Sequence, residues 1–197
     1  VLWLACWMIH NANHIRENQD GLKVGGHQAS SASIVSIMTA LYFNILRPED
    51  RVAVKPHASP VFHAIQYLSG LQTKEKIANF RGFGGAQSYP SRTKVIDDVD
   101  ISTGSVGLGV AMTSFISLIQ DYVARKKFYK NKPLGRMIAL VGDAELDEGN
   151  VYECLQEGWK HDLRNVWWII DYNRQSLDGV VHELSLIHIS EPTRQAE

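Results

Sequence analysis

Two uninterrupted apolar runs constrain the fold of this chain more than any other feature. They occupy residues 137–141 and 166–170, and a segment of helical character over about residues 147–161 separates them. Runs without alternating polar residues are typical of strands that are covered on both faces. Parallel strands need a long crossover between them, and an intervening helix provides one. The pattern predicts a βαβ unit in an α/β fold, with a doubly wound, mainly parallel sheet and helices on both faces.

Apolar spacing, together with the positions of Gly and Pro, predicts the elements outside this unit. Helices are expected over about residues 3–18, 60–69 and 74–80, and a short strand over 51–54. The stretch 81–100 is rich in Gly, Ser, Asp and Pro, which indicates a long loop. A loop of that length inside a compact domain is usually functional or mobile.

Two further helices are predicted from apolar stripes at helical spacing. The first stripe ends before Pro48 and comprises Ile34, Ile37, Met38, Leu41 and Ile45. The second follows the Gly-rich segment 103–109, and we expect its members to form the buried face of a long helix: Leu108, Met112, Phe115 and Ile119. Trp167 and Trp168 lie within the second apolar run, where we expect them to be core residues.

Composition restricts the class of partner and the compartment. Lys and Arg total 20 against 21 Asp and Glu, so the formal net charge of -1 gives no electrostatic signature for nucleic acid or an anionic membrane. Cys6 and Cys154 match no zinc or disulfide spacing, which favours a reducing compartment. The apolar opening of nine residues is far shorter than the roughly 20 that span a bilayer. We therefore expect a cytoplasmic protein with small-molecule or protein partners.

The two ends of the chain indicate that it is a piece of a longer protein. It does not begin with Met, so we expect it to start inside a longer reading frame. From about Ser185 the sequence resembles translated sequencing adapter. We therefore expect one domain over residues 1–184, truncated at both ends of its parent gene, and a non-native tail over 185–197.

Polar side chains follow the two apolar runs directly. Asp143 comes after the first run and Asn173 after the second, about 30 residues later, which is the length of one βαβ repeat. Parallel strands end at one edge of the sheet, where such folds bind ligands. A carboxylate and an amide oxygen suit Mg²⁺, which takes its remaining ligands from phosphate and water. The spacing predicts a metal-bridged diphosphate; the alternative is that Asp143 only caps a helix and Asn173 only forms a turn.

Several short motifs occur in a characteristic order along residues 9–181. They are GGHQAS at 25–30, HASP at 57–60, SYP at 88–90, VGLG at 106–109, GDAELDE at 142–148 and LDG at 177–179. With Asn173, this set resembles the transketolase superfamily of thiamine-diphosphate enzymes. Within it, the chain is most similar to the homodimeric decarboxylating component of pyruvate and related 2-oxo acid dehydrogenases.

The resemblance implies thiamine diphosphate and Mg²⁺ as cofactors and assigns the residues that hold them. The implied Mg²⁺ ligands are the side chains of Asp143 and Asn173 and the backbone carbonyl of Gln175. The implied cofactor contacts are Tyr89, Gly104, Ser105, Val106, Ala144, Glu145 and Leu177. His27 and His57 match the family's active-site histidines, which orient substrate and stabilise or protonate intermediates, a role that suits the near-neutral pKa of histidine.

Two departures from the family pattern affect these assignments. Ala144 stands where a final Gly is usual, so a positive φ or a tight pocket there would weaken cofactor binding. The motif around His27 continues Gln-Ala-Ser, whereas transketolases usually continue Pro-Gly, and this difference favours the dehydrogenase type.

The resemblance also implies a reaction and its partners. The expected reaction is decarboxylation of a 2-oxo acid with acyl transfer to a lipoyl group on a partner acyltransferase, carried out by a homodimer. One alternative is a transketolase, which transfers a two-carbon ketol unit between sugar phosphates. An alternative from another class is a non-catalytic doubly wound domain that binds a nucleotide or a partner protein. Because the family's pyrimidine-binding domain supplies the activating glutamate, we expect the present chain to be inactive by itself.

Overall fold

The computed structural model describes residues 1–17, 21–93, 98–128 and 132–174. In this part of the chain, parallel strands form a sheet in the order β1-β2-β3. The strands are β1 (Arg51–Ala53), β2 (Met137–Gly142) and β3 (Val166–Asp171). The predicted βαβ unit is confirmed, since a helix connects the parallel strands β2 and β3.

The helices alternate with the strands, as the sequence predicts. They are α1 (Leu2–His10), α2 (Gln28–Ala32), α3 (Val35–Ala40), α4 (Ser59–Leu68), α5 (Lys74–Ala78), α6 (Leu108–Arg125) and α7 (Gly149–Lys160). α1 and α3 each continue into a π-helical turn, over Asn11–Ile15 and Leu41–Ile45 respectively. The described residues of the 81–100 stretch contain no helix or strand, which agrees with the predicted loop.

Alternate residues of β2 enter two different cores, which places helices on both faces of the sheet. Ile138 and Leu140 join a cluster with residues of α3 and α4, including Met38 and Phe62. Ala139 and Val141 join a second cluster with residues of α6 and α7, such as Val110 and Cys154. Side chains on a strand alternate between its faces, so every side chain of β2 is buried. The predicted α/β architecture is confirmed.

The predicted burial of α6 is wrong. Its large apolar residues are exposed to the extent of 43% for Leu108, 39% for Met112, 55% for Phe115 and 60% for Ile119. The buried face consists of small and polar residues, namely Val110, Ala111, Thr113, Ser114, Ser117 and Gln120. Small side chains let the helix approach the sheet closely: a Cβ on Gly109 would lie 3.3 Å from the Cβ of Ala53. The buried face of α6 is therefore the one with side chains small enough for close packing on the sheet, and not the one with the largest apolar residues.

Two other burial predictions need correction. β3 is not covered on both faces, since Trp167 is 40% exposed and Ile170 is 37% exposed. The Trp167 ring instead lies under the Arg136 guanidinium at 4.3 Å, while Trp168 packs on the second core as expected. In the stripe that ends before Pro48, Ile34, Met38 and Leu41 are buried but Ile45 is 40% exposed.

Across the described residues, the model contains no helix that is both long and apolar enough to cross a bilayer.

Candidate functional site

The ends of all three strands lie at one edge of the sheet and carry the predicted site residues. Gly142 pairs with Asp171 at the ends of β2 and β3. Asp143 directly follows Gly142 and Asn173 comes two residues after Asp171, so the two residues lie at neighbouring strand ends. His57 lies in a 3-10 turn, Pro56–Ala58, just after β1. The predicted convergence of Asp143 and Asn173 is thus found in the structure. Their role as metal ligands stays a prediction.

Asp143 links the ends of β2 and β3 directly. It is 2% exposed. Its Oδ1 accepts a hydrogen bond of 3.0 Å from the backbone N–H of Ala144, and its Oδ2 accepts one of 2.6 Å from the backbone N–H of Arg174. The Asn173 side chain lies near Ser33, with Nδ2 3.4 Å from Oγ. The carboxylate is therefore held rigidly beside the backbone that carries Asn173.

Glu145 is a buried acid beside this carboxylate. It is 7% exposed, and its Oε1 has no hydrogen-bond partner among the described residues. Burial raises the pKa of Glu145 to about 7, although Lys55 and the backbone N–H groups of Gly107 and Gly142 favour the charged form. A buried oxygen without a partner is unusual in a folded protein. This oxygen is free to meet a polar group of a ligand.

The Gly-rich segment before α6 lies next to Glu145. Gly107 has a φ of +76° and precedes the first residue of α6, so its backbone N–H belongs to the N-terminal end of a long helix. Helix N-termini favour anions such as a diphosphate. Gly104, Ser105 and Val106 are exposed in the preceding turn, and Gly104 lies against Tyr89. The segment predicted to contact the cofactor is therefore accessible.

Ala144 introduces no backbone strain. It lies in a 3-10 turn over Asp143–Asp147, and it is not among the non-glycine residues with positive φ. A positive φ is the condition under which a methyl group here would disturb the local backbone. The replacement of Gly by Ala at this position is therefore compatible with the observed turn.

The two predicted histidines lie close to each other. His27 precedes α2 as its N-cap residue, and His57 makes an edge-to-face contact with the Tyr89 ring at 6.5 Å between centroids. Partial burial lowers the pKa of His57, and its electrostatic interactions with Lys55, Arg81 and His27 lower it further. The structure thus brings His27, His57 and Tyr89 near one another, and their roles in the reaction stay predictions.

Arg81 is a neighbour that the sequence reasoning missed. Its guanidinium carbon lies 5.8 Å from the Tyr89 ring centroid and 5.2 Å from that of Phe80, and its Nη1 donates to the Val24 carbonyl at 2.6 Å. It adopts a φ of 60°, which is uncommon for a non-glycine residue. No sequence signal separates this cation from surface arginines.

A buried ion pair beneath the site was also missed. Lys55 Nζ donates to Asp171 Oδ2 at 2.9 Å, and the two side chains are 6% and 5% exposed. Ser33 Oγ donates to the same carboxylate oxygen at 2.7 Å. The available signal was a charged residue at the end of each of two apolar strands, because buried charges need partners.

Three predictions fall outside the described residues. These are the backbone carbonyl of Gln175 as an Mg²⁺ ligand, Leu177 as a cofactor contact and the tail over 185–197. Among the described residues, no three His, Cys, Asp or Glu side chains form a metal-binding cluster. The predicted Mg²⁺ set contains one carboxylate, that of Asp143, with neutral oxygens.

The residues present fit a diphosphate bridged by Mg²⁺. Asp143 and Asn173 offer hard oxygen atoms at adjacent strand ends. Glu145 has a buried oxygen without a partner, and the N-terminal end of α6 faces the same region through Gly107. Asp143 and Asn173 would hold the ion, while the segment 104–106, Ala144 and Glu145 would line the diphosphate.

Comparison with known proteins identifies the class. Residues 25–191 match the family model described as transketolase, thiamine diphosphate binding domain. The chain is 28% identical over 192 residues to the pyruvate dehydrogenase E1 component of Mycolicibacterium smegmatis, covering 92% of this chain and 20% of that protein. It is 30% identical over 165 residues to transketolase-like protein 2 of Mus musculus, covering 78% and 25% respectively.

The fold agrees with this class. The structure of transketolase from Leishmania mexicana superposes with a TM-score of 0.76 at 19% identity, over 96% of this chain and 28% of that one. The chain belongs to the transketolase family and comprises its thiamine-diphosphate-binding domain. It spans about a fifth to a quarter of the length of these relatives.

Proposed function

We propose that the protein containing this domain decarboxylates a 2-oxo acid such as pyruvate, with thiamine diphosphate and Mg²⁺ as cofactors, and transfers the acyl unit to a lipoyl group. The observation that carries the proposal is the junction of β2 and β3, where Asp143 accepts a 2.6 Å hydrogen bond from the residue after Asn173. This proximity of a carboxylate and an amide supports a cation bound between them that would also hold a diphosphate. The similarity to pyruvate dehydrogenase E1 components supports the choice of reaction.

The residues of this chain have distinct tasks in the proposed reaction. Asp143, Asn173 and the carbonyl of Gln175 hold Mg²⁺, and the segment 104–106, with Ala144 and Glu145, binds the diphosphate. When bound, thiamine diphosphate supplies the carbanion that adds to the substrate carbonyl and stores the electrons released on cleavage. His27 and His57 orient the substrate and move protons. The lowered pKa of His57 favours its neutral form, which can accept a proton.

A second candidate reaction is transfer of a two-carbon ketol unit between sugar phosphates. The similarity to transketolase-like protein 2 supports it. The same cation and diphosphate site would serve both reactions, so the distinction depends on substrate contacts. A homodimer, a lipoyl-bearing partner and a cytoplasmic location are further parts of the proposal, and the large exposed apolar residues of α6 support a covering protein surface.

Calorimetric titration of the full-length protein with thiamine diphosphate tests the proposal. We expect saturable binding in the presence of Mg²⁺ and little binding after treatment with a chelator. Turnover with pyruvate and with a ketose phosphate then separates the two reactions. Absence of binding in a folded protein, or binding that does not require the metal, would favour a non-catalytic domain of the same fold.

A further inference from the structure

The buried Asp171 carboxylate joins three segments that each carry a predicted functional residue. Its Oδ2 accepts hydrogen bonds from Lys55 Nζ at 2.9 Å and from Ser33 Oγ at 2.7 Å. Lys55 is two residues before His57, and Asp171 is two residues before Asn173. Ser33 is the C-cap residue of α2, the short helix that begins directly after His27. One carboxylate thus connects both histidines to a predicted metal ligand.

The Lys55 ammonium also contacts the third strand end. A Cβ built on Gly142 would lie 3.4 Å from Lys55 Nζ and 3.2 Å from its Cε, so the lysine lies against the backbone that leads into Asp143. A side chain at position 142 would displace the end of the lysine by a few tenths of an ångström. The same ammonium is close enough to Glu145 to favour its charged form. Lys55 therefore touches or faces the ends of β1, β2 and β3 together.

The Lys55–Asp171 pair is better explained by the geometry that it fixes than by a contribution to stability. Replacing a buried ion pair by apolar residues is often neutral or stabilising, so burial of the Lys55–Asp171 pair is weak evidence of a role in stability. Networks that are fully hydrogen-bonded do, however, fix geometry. Groups that hold the ligands of a metal typically change metal affinity by about 10- to 100-fold when they are removed.

From this geometry we infer that Lys55 and Asp171 are positioning residues, which fix the ends of β1, β2 and β3 so that His57, Asp143 and Asn173 are preorganised for the cofactor. The inference rests on the proposed function, because it concerns binding of thiamine diphosphate with Mg²⁺. Neither residue touches the reacting atoms in this account. Each acts through the residues that follow it along the chain.

The matched control is a second buried ion pair at the opposite end of the strands. Asp50 precedes β1 and accepts hydrogen bonds from Arg136, which precedes β2, at 3.0 Å from Nε and 2.8 Å from the backbone N–H. Loss of this pair disturbs β1 and β2 at their amino ends, away from the predicted ligands. It should lower stability without moving the predicted ligands.

Thiamine-diphosphate affinity at fixed Mg²⁺, measured by calorimetry on the full-length protein, tests the inference. We expect Lys55→Gln and Asp171→Asn each to weaken binding by about tenfold or more. Asp50→Asn should bind within about twofold of the wild type in the fraction that is folded. Affinities of the two site variants that match the wild type, or an equal loss in Asp50→Asn, would overturn the inference.

Two further variants keep the test decisive if the single variants do not fold. The double variant Lys55→Gln with Asp171→Asn removes both charges of the pair, so it should be more stable than either single variant while its cofactor affinity stays reduced. Ser33→Ala removes the bond to Asp171 and the 3.4 Å contact with Asn173 Nδ2 without exposing a charge, and should weaken binding by about threefold. Wild-type affinity in both variants would exclude positioning. A wild-type protein that does not bind the cofactor would contradict the proposed function itself, and the inference with it.

Discussion

The backbone N–H of Arg174 donates a hydrogen bond of 2.6 Å to Oδ2 of Asp143, which joins the ends of two parallel strands through one carboxylate. Arg174 adopts a φ of 58°, so the chain turns sharply directly after Asn173. The second carboxylate oxygen accepts from the backbone of Ala144. Carboxylate oxygens have further lone pairs, so both can accept these bonds and still bind a cation.

Asp143→Ala should abolish metal-dependent binding of thiamine diphosphate in the full-length protein, because it removes the charged member of the predicted ligand set. It should also lower stability by about 1–3 kcal/mol, since it leaves two partly buried backbone donors without their acceptor. Calorimetry with and without Mg²⁺ measures the first effect, and urea unfolding measures the second. Asp147→Ala, an exposed acid of the same turn, serves as the control. Unchanged metal-dependent affinity in Asp143→Ala would refute the metal assignment.

The placement of Asp143 and Asn173 could be predicted from sequence because it depends on a local pattern. Two apolar runs joined by a crossover helix indicate parallel strands, and parallel strands end at one edge. The burial of α6 could not be predicted in the same way. Leu108 and Phe115 have helical spacing, but Ala111, Ser114 and Ser117 are small enough to let the helix approach the sheet. Apolar spacing does not measure how close two elements come.

The sequence indicated that a charge at each of two strand ends needs a partner, but not that Lys55 and Asp171 are partners of each other. The two residues are 116 positions apart, and nothing in either local segment identifies the partner. In the sequence, Ser33 is indistinguishable from a serine that merely ends a helix. Arg81 likewise depends on the path of a long loop that returns to the site. Short motifs located the predicted ligands, whereas the residues that support them depend on tertiary contacts.

His57→Ala should lower the turnover number with a 2-oxo acid by about 10²- to 10⁴-fold in the full-length enzyme, which is the usual contribution of a general acid or base. The lowered pKa of His57 keeps the ring neutral near pH 7, as a proton acceptor requires. His161→Ala is the matched control, because His161 is exposed at the end of α7 and faces Glu157 at 3.3 Å. Steady-state kinetics measures both. A wild-type rate in His57→Ala would remove this residue from the catalytic set.

Asp50→Asn should destabilise the 197-residue chain in a pH-dependent way. Burial alone would raise the pKa of Asp50, but hydrogen bonds from Arg136 and Arg47 outweigh it and lower the pKa to about 2. A lowered pKa in the folded state adds stability above the usual Asp pKa of about 4, and this stability is lost as the pH falls towards 2. Urea unfolding should show a deficit of about 2 kcal/mol at pH 7 that shrinks below pH 4.

The control for this pH profile is Asp162→Asn. Asp162 is paired with Arg164 at 2.7 Å, but both side chains are exposed, at 73% and 81%. Exposed pairs contribute little to stability. A deficit in Asp50→Asn that stays constant between pH 7 and pH 2.5 would contradict the assigned pairing with Arg136.

Substitutions on the two faces of α6 should change the free energy of unfolding by very different amounts. Phe115→Gln should change the free energy of unfolding of the 197-residue chain by less than about 0.5 kcal/mol, because Phe115 is 55% exposed. Val110→Ala should cost about 1–3 kcal/mol, because Val110 is 1% exposed and packs in the second core. Chemical denaturation measures both values. A larger loss of stability in Phe115→Gln than in Val110→Ala would instead support burial of the face that the apolar spacing predicted.

Two glycines before α6 should separate folding from cofactor binding. Gly107→Ala should destabilise the protein, because φ is +76° and a Cβ would lie 2.5 Å from Asn150 Oδ1. Gly104→Ala should leave the free energy of unfolding nearly unchanged, since the nearest atoms, on Tyr89, would lie 3.9 Å from a new Cβ. If the backbone of segment 104–106 approaches the diphosphate, the added methyl group should nevertheless weaken thiamine-diphosphate binding. Calorimetric affinity and denaturation, measured on both variants of the full-length protein, check this, and wild-type affinity in Gly104→Ala would exclude close approach at that position.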